Sequence, residues 1–209
     1  MADYLTVGNA ADYSFTEKKS RFIGYISPVK TEEEAVEFVN SIKKKHSDAR
    51  HNVYAYVLRE NNKQRYSDDG EPQGTGGLPV LDVLTKKGLV DVCVVVTRYF
   101  GGILLGTGGL TRAYSAACKG AVECGKIVKM TECKSFSLEC DYGFYNTLQN
   151  LFMKFEVKTE TSDFSDTVKL CCYIKSENYQ KLTDEIAEKF SGKIVAKVLG
   201  EKYFPFSID

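Results

Sequence analysis

The sequence predicts an α+β protein made of two domains, with a boundary near residue 131. The chain has 209 residues, of which 43% are hydrophobic, enough for two domains of about 100 residues with a core each. Twelve of its 17 glycines lie between Gly70 and Gly125, whereas predicted strands and helices alternate regularly after residue 131. This change indicates a loop-rich first domain (residues 1–131) and a more regular second domain (residues 132–209).

The first domain is predicted to open with a strand and an amphipathic helix. Residues 21–29 alternate well enough for a strand. Thr31 and Glu34 have the spacing of a capping box, and apolar side chains follow at helical spacing as far as Lys45. A second strand is expected over residues 51–59.

Two glycine-rich loops separate the other elements of this domain. Residues 61–78 are predicted to form a polar loop, after which a short helix begins near Leu81. Residues 90–96 are nearly all apolar and β-branched, as in a strand buried on both faces. A second loop covers residues 101–109, and apolar and small residues at helical spacing from Leu110 onward predict a helix.

The second domain is predicted to have the order strand, helix, strand, strand, helix, strand. Leu148 lies on the apolar face of its first helix, and Ser176 is expected to cap the second. The strands are expected at residues 134–140, 155–161, 167–175 and 193–199. This βαββαβ order is typical of a ferredoxin-like domain. No candidate for chemistry lies in it.

The strongest candidate site is the passage from strand to helix at residues 94–112. A glycine loop that enters a helix offers free N–H groups, and the helix dipole favours a phosphate or carboxylate there. Arg98 at the strand end and Arg112 in the first helical turn add donors, and Thr107 and Thr111 add hydroxyl groups. The glycines of this candidate are Gly101, Gly102, Gly106, Gly108 and Gly109. The alternative is that they only permit tight turns and close packing.

Two known phosphate-binding motifs are incomplete in this segment. Gly101 and Gly106 have the spacing of a P-loop, but Thr107 stands where that motif has lysine. The dinucleotide motif fails because Thr111 stands in place of the third glycine after Gly106 and Gly108. The motifs therefore do not support a nucleotide-dependent enzyme.

The first loop contains the second candidate, an acidic cluster. Asp68, Asp69 and Glu71 place three carboxylates within four positions, a pattern that can bind Mg²⁺ or supply a base. The alternative is an Asx-type turn in which Asp68 or Asp69 accepts hydrogen bonds from backbone N–H groups and Glu71 caps the loop. We favour the turn, because one short acidic loop rarely makes a complete metal site. No metal and no cofactor are assigned.

The cysteines and histidines give little sign of a catalytic or zinc site. The seven cysteines have no CxxC spacing and the chain has two histidines, so a zinc site or a pair of His51 with Cys93 or Cys118 is disfavoured. No signal peptide and no membrane-spanning run are visible. We therefore expect a cytoplasmic protein with reduced thiols in its core and no membrane partner.

Three segments resemble the YigZ/IMPACT family. They are HNVYAY at residues 51–56, YSDDGEPQGTGGLPVL at residues 66–81 and VTRYFGGILLGTGGLTRAY at residues 96–114, with Gly76 where the family has alanine. The resemblance implies a first domain like domain 2 of ribosomal protein S5 and a second domain like domain V of elongation factor G. It also implies translation-linked regulation, weak association with nucleic acid or ribosomes, and no established reaction.

One departure from the eukaryotic members limits what the resemblance implies. Those proteins carry an additional amino-terminal RWD domain, which contacts the activator of a stress-response translation kinase. Here the recognisable domain begins near Tyr13, so regulation through that module is not expected.

These observations predict a weak RNA- or ribosome-binding protein that regulates translation. Arg98, Arg112 and the glycine loops would contact phosphates, with Arg65 nearby and Tyr99 stacked on a base. The alternatives are Mg²⁺-dependent phosphoryl transfer or phosphoester hydrolysis at the acidic cluster, and an adaptor whose second domain binds a protein partner.

The charge distribution is consistent with a local and weak anion site. The chain has 28 Lys and Arg against 28 Asp and Glu, so its net charge is zero. Residues 1–130 hold 18 basic against 15 acidic side chains, a net +3, and the remainder is −3. This excess excludes a strongly basic nucleic-acid binder, but it allows a basic face on the first domain.

Overall fold

The structure, a computed structural model, describes residues 3–207 of the chain. The outermost residues of the two expected domains, 1–2 and 208–209, therefore lie outside the described residues. Residues 4–129 and 130–205 form two compact units. Each unit has a hydrophobic core of its own.

The first unit is built on a five-stranded antiparallel sheet that is covered by helices on both faces. Its strand order is β2-β3-β6-β4-β5. Helix α1 packs on one face, and helices α2 and α3 pack on the other. The elements of this unit are β1 (Tyr4–Val7), β2 (Ala11–Glu17), β3 (Ser20–Pro28), α1 (Glu32–Lys45), β4 (His51–Val57), β5 (Gln64–Ser67), α2 (Gly77–Lys86), β6 (Val92–Tyr99) and α3 (Thr107–Gly125).

Strand β6 lies in the middle of this sheet and is buried from Val92 to Arg98. Val94 and Val96 belong to the core beneath α2 and α3, whereas Cys93 and Val95 belong to the core beneath α1. The prediction of a strand buried on both faces is therefore confirmed. Because side chains alternate along a strand, the end of β6 presents consecutive residues to opposite faces.

Several boundaries in the first unit differ from the sequence prediction. The predicted loop at residues 61–78 contains strand β5, a mostly exposed edge strand without a hydrophobic alternation. Helix α2 begins at Gly77 rather than near Leu81. Helix α3 begins at Thr107, so the last part of the predicted second loop is helical. Strands β1 and β2 were not predicted.

Thr31 caps helix α1 as the sequence predicts. Its Oγ1 accepts a hydrogen bond from the Glu34 backbone N–H at 3.3 Å. The Glu34 carboxylate accepts from the Lys30 N–H at 2.6 Å, one residue before the cap. The local sequence therefore fixes where α1 starts and how the chain enters it.

The second unit has the order βαββαβ and the strand arrangement β10-β7-β9-β8. Both of its helices pack on one core with the strands, which confirms the ferredoxin-like prediction. Strands β8 and β10 begin three and four residues later than predicted. The elements are β7 (Ile127–Cys140), α4 (Tyr142–Lys154), β8 (Lys158–Phe164), β9 (Val168–Lys175), α5 (Tyr179–Lys189) and β10 (Lys197–Ser207).

Ser176 does not cap the last helix, contrary to the sequence prediction. A short 3₁₀ turn, Ser176–Asn178, precedes α5, and Asn178 stands at the capping position. The buried Ser176 Oγ has no hydrogen-bond partner among the described residues. The turn shifts the start of α5 by two residues, so that Asn178 rather than Ser176 precedes the helix.

The seven cysteines are all free thiols, and five of them are buried. Cys171 is partly buried and Cys124 is exposed. Most of them therefore serve as small core residues, as predicted. Within residues 3–207, no helix is long and apolar enough to cross a membrane.

Candidate functional site

The two glycine-rich segments of the first unit line one cavity of about 460 Å³, here named the loop cavity. Arg50 and His51 line it where β4 begins. The first loop contributes Gly70, Glu71 and Pro72. The segment from β6 to α3 contributes Arg98, Phe100, Leu104, Leu105, Gly106 and Thr107. The two loops that the sequence singles out therefore meet at one site.

Arg98 is the buried cation of the loop cavity. In the β4–β6 pairing its Cα lies opposite that of His51, and its side chain is 6% exposed. Its Nη1 donates to Glu71 Oε1 at 2.6 Å, and Nη2 lies 3.5 Å from Ser20 Oγ. Nε is buried and has no hydrogen-bond partner in the described part of the chain. Because a guanidinium has five donors, Arg98 retains capacity for a further acceptor.

Glu71 fixes the position of Arg98. Its side chain is 3% exposed, and Oε1 also accepts a hydrogen bond from the Tyr114 hydroxyl at 2.7 Å. Burial and then the Glu71 carboxylate raise the pKa of Tyr114, so its hydroxyl stays protonated. The carboxylate is therefore held by a cation and a neutral donor.

His51 presents a nitrogen acceptor to the same cavity. Its Nδ1 lies 2.9 Å from the Asp69 carbonyl oxygen. A carbonyl can only accept, so Nδ1 carries the hydrogen and Nε2 is unprotonated in the neutral ring. Nε2 lies 3.9 Å from Glu71 Oε1. A protonated His51 would instead form an ion pair with Glu71.

The amino terminus of α3 also lines the cavity. Gly106 stands at the capping position with φ 71° and no side-chain capping bond. The N–H groups of the first helical turn have no carbonyl one turn earlier, and the helix dipole places a partial positive charge beside them. Thr107, the first residue of α3, lines the cavity, whereas Gly108 and Gly109 lie within the helix.

The other glycines of the second loop are accounted for by packing and backbone geometry. A Cβ at Gly101 would lie 2.0 Å from the backbone of Lys19, so no side chain fits there. Gly102 has φ 83°, a left-handed conformation. Only part of the glycine pattern therefore relates to an anion site.

The carboxylates of Asp68 and Asp69 hold the first loop together. Asp68 accepts hydrogen bonds from the backbone N–H groups of Gly74, Gly76 and Gly77 at 2.8–2.9 Å. Asp69 accepts from Lys43 Nζ at 2.6 Å and from the Asn52 N–H at 2.7 Å. These contacts are those predicted for the two aspartates of the turn, whereas the Glu71 carboxylate does not cap the loop but pairs with Arg98.

Arg65 and Tyr99 lie away from the loop cavity. Arg65 is on β5 opposite Tyr56, where it is 3.5 Å from Glu32 Oε1. Tyr99 is on the sheet face opposite Arg98, where its hydroxyl contacts His46 Nδ1 at 2.8 Å. Neither side chain joins the predicted cluster around Arg98.

Thr111 and Arg112 belong to the second turn of α3 because the helix starts earlier than predicted. Thr111 Oγ1 donates to the Thr107 carbonyl oxygen at 3.1 Å. Arg112 is exposed and lines a separate cavity of about 270 Å³ together with Glu17 and Lys18. Arg112 therefore extends the basic surface but does not contact the loop cavity.

Several residues of the site were not predicted from the sequence. Arg50, Phe100 and Leu104 line the cavity, and apolar residues inside a glycine-rich loop were a visible signal for the latter two. Nothing in the sequence indicates that Ser20 contacts Arg98 or that Tyr114 contacts Glu71, because these partners are far apart in the chain.

The thiols paired with His51 in one hypothesis lie elsewhere in the core. Cys93 Sγ contacts the Ala35 carbonyl oxygen beneath α1, and Cys118 Sγ contacts the Val80 carbonyl oxygen. Burial raises the pKa of Cys118 to about 12, which disfavours the thiolate. Among the described residues, no group of three or more His, Cys, Asp and Glu side chains is arranged to hold a metal ion.

A cavity of about 670 Å³ in the second unit lacks a comparable charge bias. Its charged lining balances three carboxylates with three lysines. These residues are Glu139, Asp141, Asp163, Lys169, Lys193 and Lys197. The loop cavity, with two arginines and one glutamate, is the better candidate for an anion.

Comparisons with known proteins agree with the two-domain organisation. The family model described as the Impact N-terminal domain matches residues 18–122, and a domain of unknown function (DUF1949) matches residues 138–193. The chain is 38% identical to the IMPACT family member YvyE of Bacillus subtilis, covering 91% of this chain and 88% of that protein. It is 33% identical to the IMPACT family member YigZ of Escherichia coli, covering 85% and 88%. A crystal structure of a hypothetical protein matches with a TM-score of 0.61 and 30% identity over 96% of this chain and 98% of that one.

Proposed function

The chain belongs to the IMPACT family, and on this premise we propose that it is a translation-linked regulatory protein that binds RNA weakly at the loop cavity. The link to translation rests on the resemblance of the chain to the IMPACT family. The site supplies the chemistry, because its cations and helix terminus favour the phosphates of an RNA chain.

The charge of the loop cavity is the observation that carries this proposal. Arg50 and Arg98 bring two positive charges against the single carboxylate of Glu71. The α3 terminus adds roughly half a positive charge. The net positive potential favours an anion, and both arginines line the cavity where they can contact it.

The surface next to the cavity offers only a few basic side chains to a nucleic-acid chain. Arg112 of α3 and Lys18, which follows β2, line a second cavity together with Glu17 and can contact further phosphates. The first unit carries an excess of only three positive charges. Binding is therefore local and weak, and its affinity falls with salt in proportion to the few phosphates contacted.

The test is the affinity for a fluorescently labelled single-stranded RNA, measured by anisotropy between roughly 50 and 200 mM salt. Arg50→Ala should weaken binding and reduce the slope of log affinity against log salt by about 0.7, the value for one phosphate contact on a single strand. Arg50 is exposed, so this change leaves the buried pair of Arg98 and Glu71 intact.

Arg65→Ala is the matched control, because Arg65 is an exposed arginine of the same unit outside the loop cavity. It should leave both the affinity and the slope close to those of the unsubstituted protein. Salt-independent binding, or equal losses in the two variants, would contradict the proposal.

A further inference from the structure

We propose that the loop cavity takes the terminal phosphate of a nucleotide, with the attached base against the apolar rim of the cavity. The ligand is thus a phosphate monoester joined to a nucleoside, either at the end of an RNA chain or as a free mononucleotide. This inference rests on the proposed function and specifies which part of an RNA the cavity receives.

The size of the cavity fits one nucleotide. A volume of about 460 Å³ lies within the range of roughly 300–1,000 Å³ that is usual for small-ligand pockets. An RNA that binds through internal phosphates needs an extended groove along its backbone. A chain end can enter a cavity of this size and leave the rest of the RNA outside.

The donors around the cavity favour a monoester over an internal diester. Arg98 is more than nine-tenths buried, and its Nε has no partner among the described residues. Arg98 also lines the cavity and is held by Glu71, so its guanidinium presents a fixed positive charge to an anion there. The start of α3, at Gly106 and Thr107, adds backbone N–H groups at a second point of the same lining.

The charge of the site also favours a phosphate monoester over an internal diester. Arg50 and Arg98 against Glu71 leave one net positive charge, to which the α3 terminus adds roughly half a charge. A terminal phosphate carries nearly two negative charges near neutral pH and has three acceptor oxygens. An internal phosphodiester carries one charge and has two free oxygens. The monoester therefore matches both the charge and the donors more closely.

The apolar rim provides a surface for the base. Phe100 is 43% exposed and Leu104 is 82% exposed, and both line the loop cavity. The Arg98 guanidinium carbon lies 5.5 Å from the centre of the Phe100 ring. This is a cation–π contact distance, so the aromatic surface directly adjoins the cation of the anion site. Stacking of a base on such a ring contributes about 1–3 kcal/mol.

The experiment compares RNA oligonucleotides of one sequence with a 5′-phosphate, a 3′-phosphate or hydroxyl groups at both ends. Adenosine monophosphate and inorganic phosphate serve as competitors. We expect about tenfold tighter binding of one phosphorylated form than of the hydroxyl form, equivalent to one charge-assisted hydrogen bond. The monophosphate should displace that RNA at lower concentration than inorganic phosphate does.

Two substitutions separate the phosphate from the base. Arg50→Ala should reduce the preference for the phosphorylated end from about tenfold to about twofold, as expected for a lost charge-assisted contact. Phe100→Ala should remove the advantage of the monophosphate over inorganic phosphate. Phe164→Ala, which removes an exposed aromatic ring of the second unit, should change neither quantity.

The outcomes distinguish this inference from the proposed function. Salt-dependent RNA binding without any preference for a phosphorylated end, and without displacement by the monophosphate, overturns the inference and leaves the proposed function intact. Arg50-dependent binding of the monophosphate without RNA binding overturns the proposed function and supports a free nucleotide as the ligand. A preference that Arg50→Ala leaves unchanged overturns the inference.

Discussion

Arg98 Nη1 donates to Glu71 Oε1 across 2.6 Å, and this ion pair joins the two glycine-rich segments of the first unit. Both side chains are more than nine-tenths buried, so each charge depends on the other for compensation. Tyr114 donates to the same oxygen from the middle of α3. The pair thus connects the acidic loop, the end of β6 and α3 around one carboxylate.

Glu71→Ala should lower the free energy of unfolding by about 3–5 kcal/mol, because it leaves Arg98 buried without a counter-charge. Tyr114→Phe removes one hydrogen bond to the same carboxylate and should cost about 1 kcal/mol. Urea unfolding measures both values.

The double replacement Glu71→Leu with Arg98→Met is the control for this prediction. It removes both charges and should recover part of the stability that Glu71→Ala loses. A double variant less stable than Glu71→Ala would contradict the interpretation that an uncompensated charge is responsible.

Asp68→Ala should lower the free energy of unfolding by about 2 kcal/mol, because the N–H groups of Gly74 in the loop and of Gly76 and Gly77 at the start of α2 lose their acceptor. Asp68→Asn keeps one acceptor oxygen and should cost less. Hydrogen exchange at Gly76 and Gly77 should be faster in the alanine variant.

Asp82→Ala is the matched control, since Asp82 is an exposed aspartate on the same helix and lies 3.6 Å from Lys86. Its effect should stay below about 0.5 kcal/mol. Equal losses at positions 68 and 82 would show that Asp68 acts through surface charge rather than as the cap of α2.

The parts of the fold that the sequence predicted are those with a strong local pattern. The β-branched run of β6 and the cap of α1 at Thr31 each depend on residues close together in the chain. Strand β5 has no such pattern, because it is a polar edge strand whose pairing with β4 defines it. The order of strands and helices in the second unit could be predicted from the sequence, whereas the exact ends of its strands could not.

The site was predictable only in part, since it combines contacts distant in sequence. Glu71 and Arg98 are 27 positions apart, and nothing local indicates that they pair. Tyr99 is a different case. Consecutive residues of a strand face opposite sides, so a predicted strand that continued from residue 96 to Tyr99, as β6 does, would have separated Tyr99 from Arg98.

Gly106→Ala should lower the free energy of unfolding by about 1–3 kcal/mol, because φ 71° with ψ 167° is a conformation that almost only glycine adopts. A Cβ there meets no atom within 4 Å, so the cost comes from the backbone alone. Urea unfolding of the variant measures it.

Gly108→Ala is the contrasting substitution, two residues further along and inside α3. A Cβ at Gly108 makes an ordinary contact at 3.9 Å, and alanine favours the helix by up to about 1 kcal/mol. This variant should be as stable as the unsubstituted protein or slightly more stable. Destabilisation by Gly108→Ala equal to that by Gly106→Ala would contradict the backbone explanation.

His46 belongs to a directed chain of hydrogen bonds on the α1 face of the sheet. The Tyr99 hydroxyl donates to Asp48 Oδ1 at 2.9 Å, so its oxygen accepts from His46 Nδ1 at 2.8 Å. His46 Nε2 therefore accepts from the Tyr25 hydroxyl at 2.7 Å. Burial, with a smaller contribution from Lys45, lowers the pKa of His46 below 6.5.

This lowered pKa makes the free energy of unfolding depend on pH through His46. The unfolded chain binds a proton near pH 6.5, whereas the folded chain binds it only at lower pH. The contribution of neutral His46 is therefore complete above pH 6.5 and is lost as the pH falls through the folded pKa. His46→Gln should reduce the loss of stability between pH 7.5 and pH 5, measured by urea unfolding at each pH. An unchanged difference between the two pH values in this variant would mean that other groups cause the dependence.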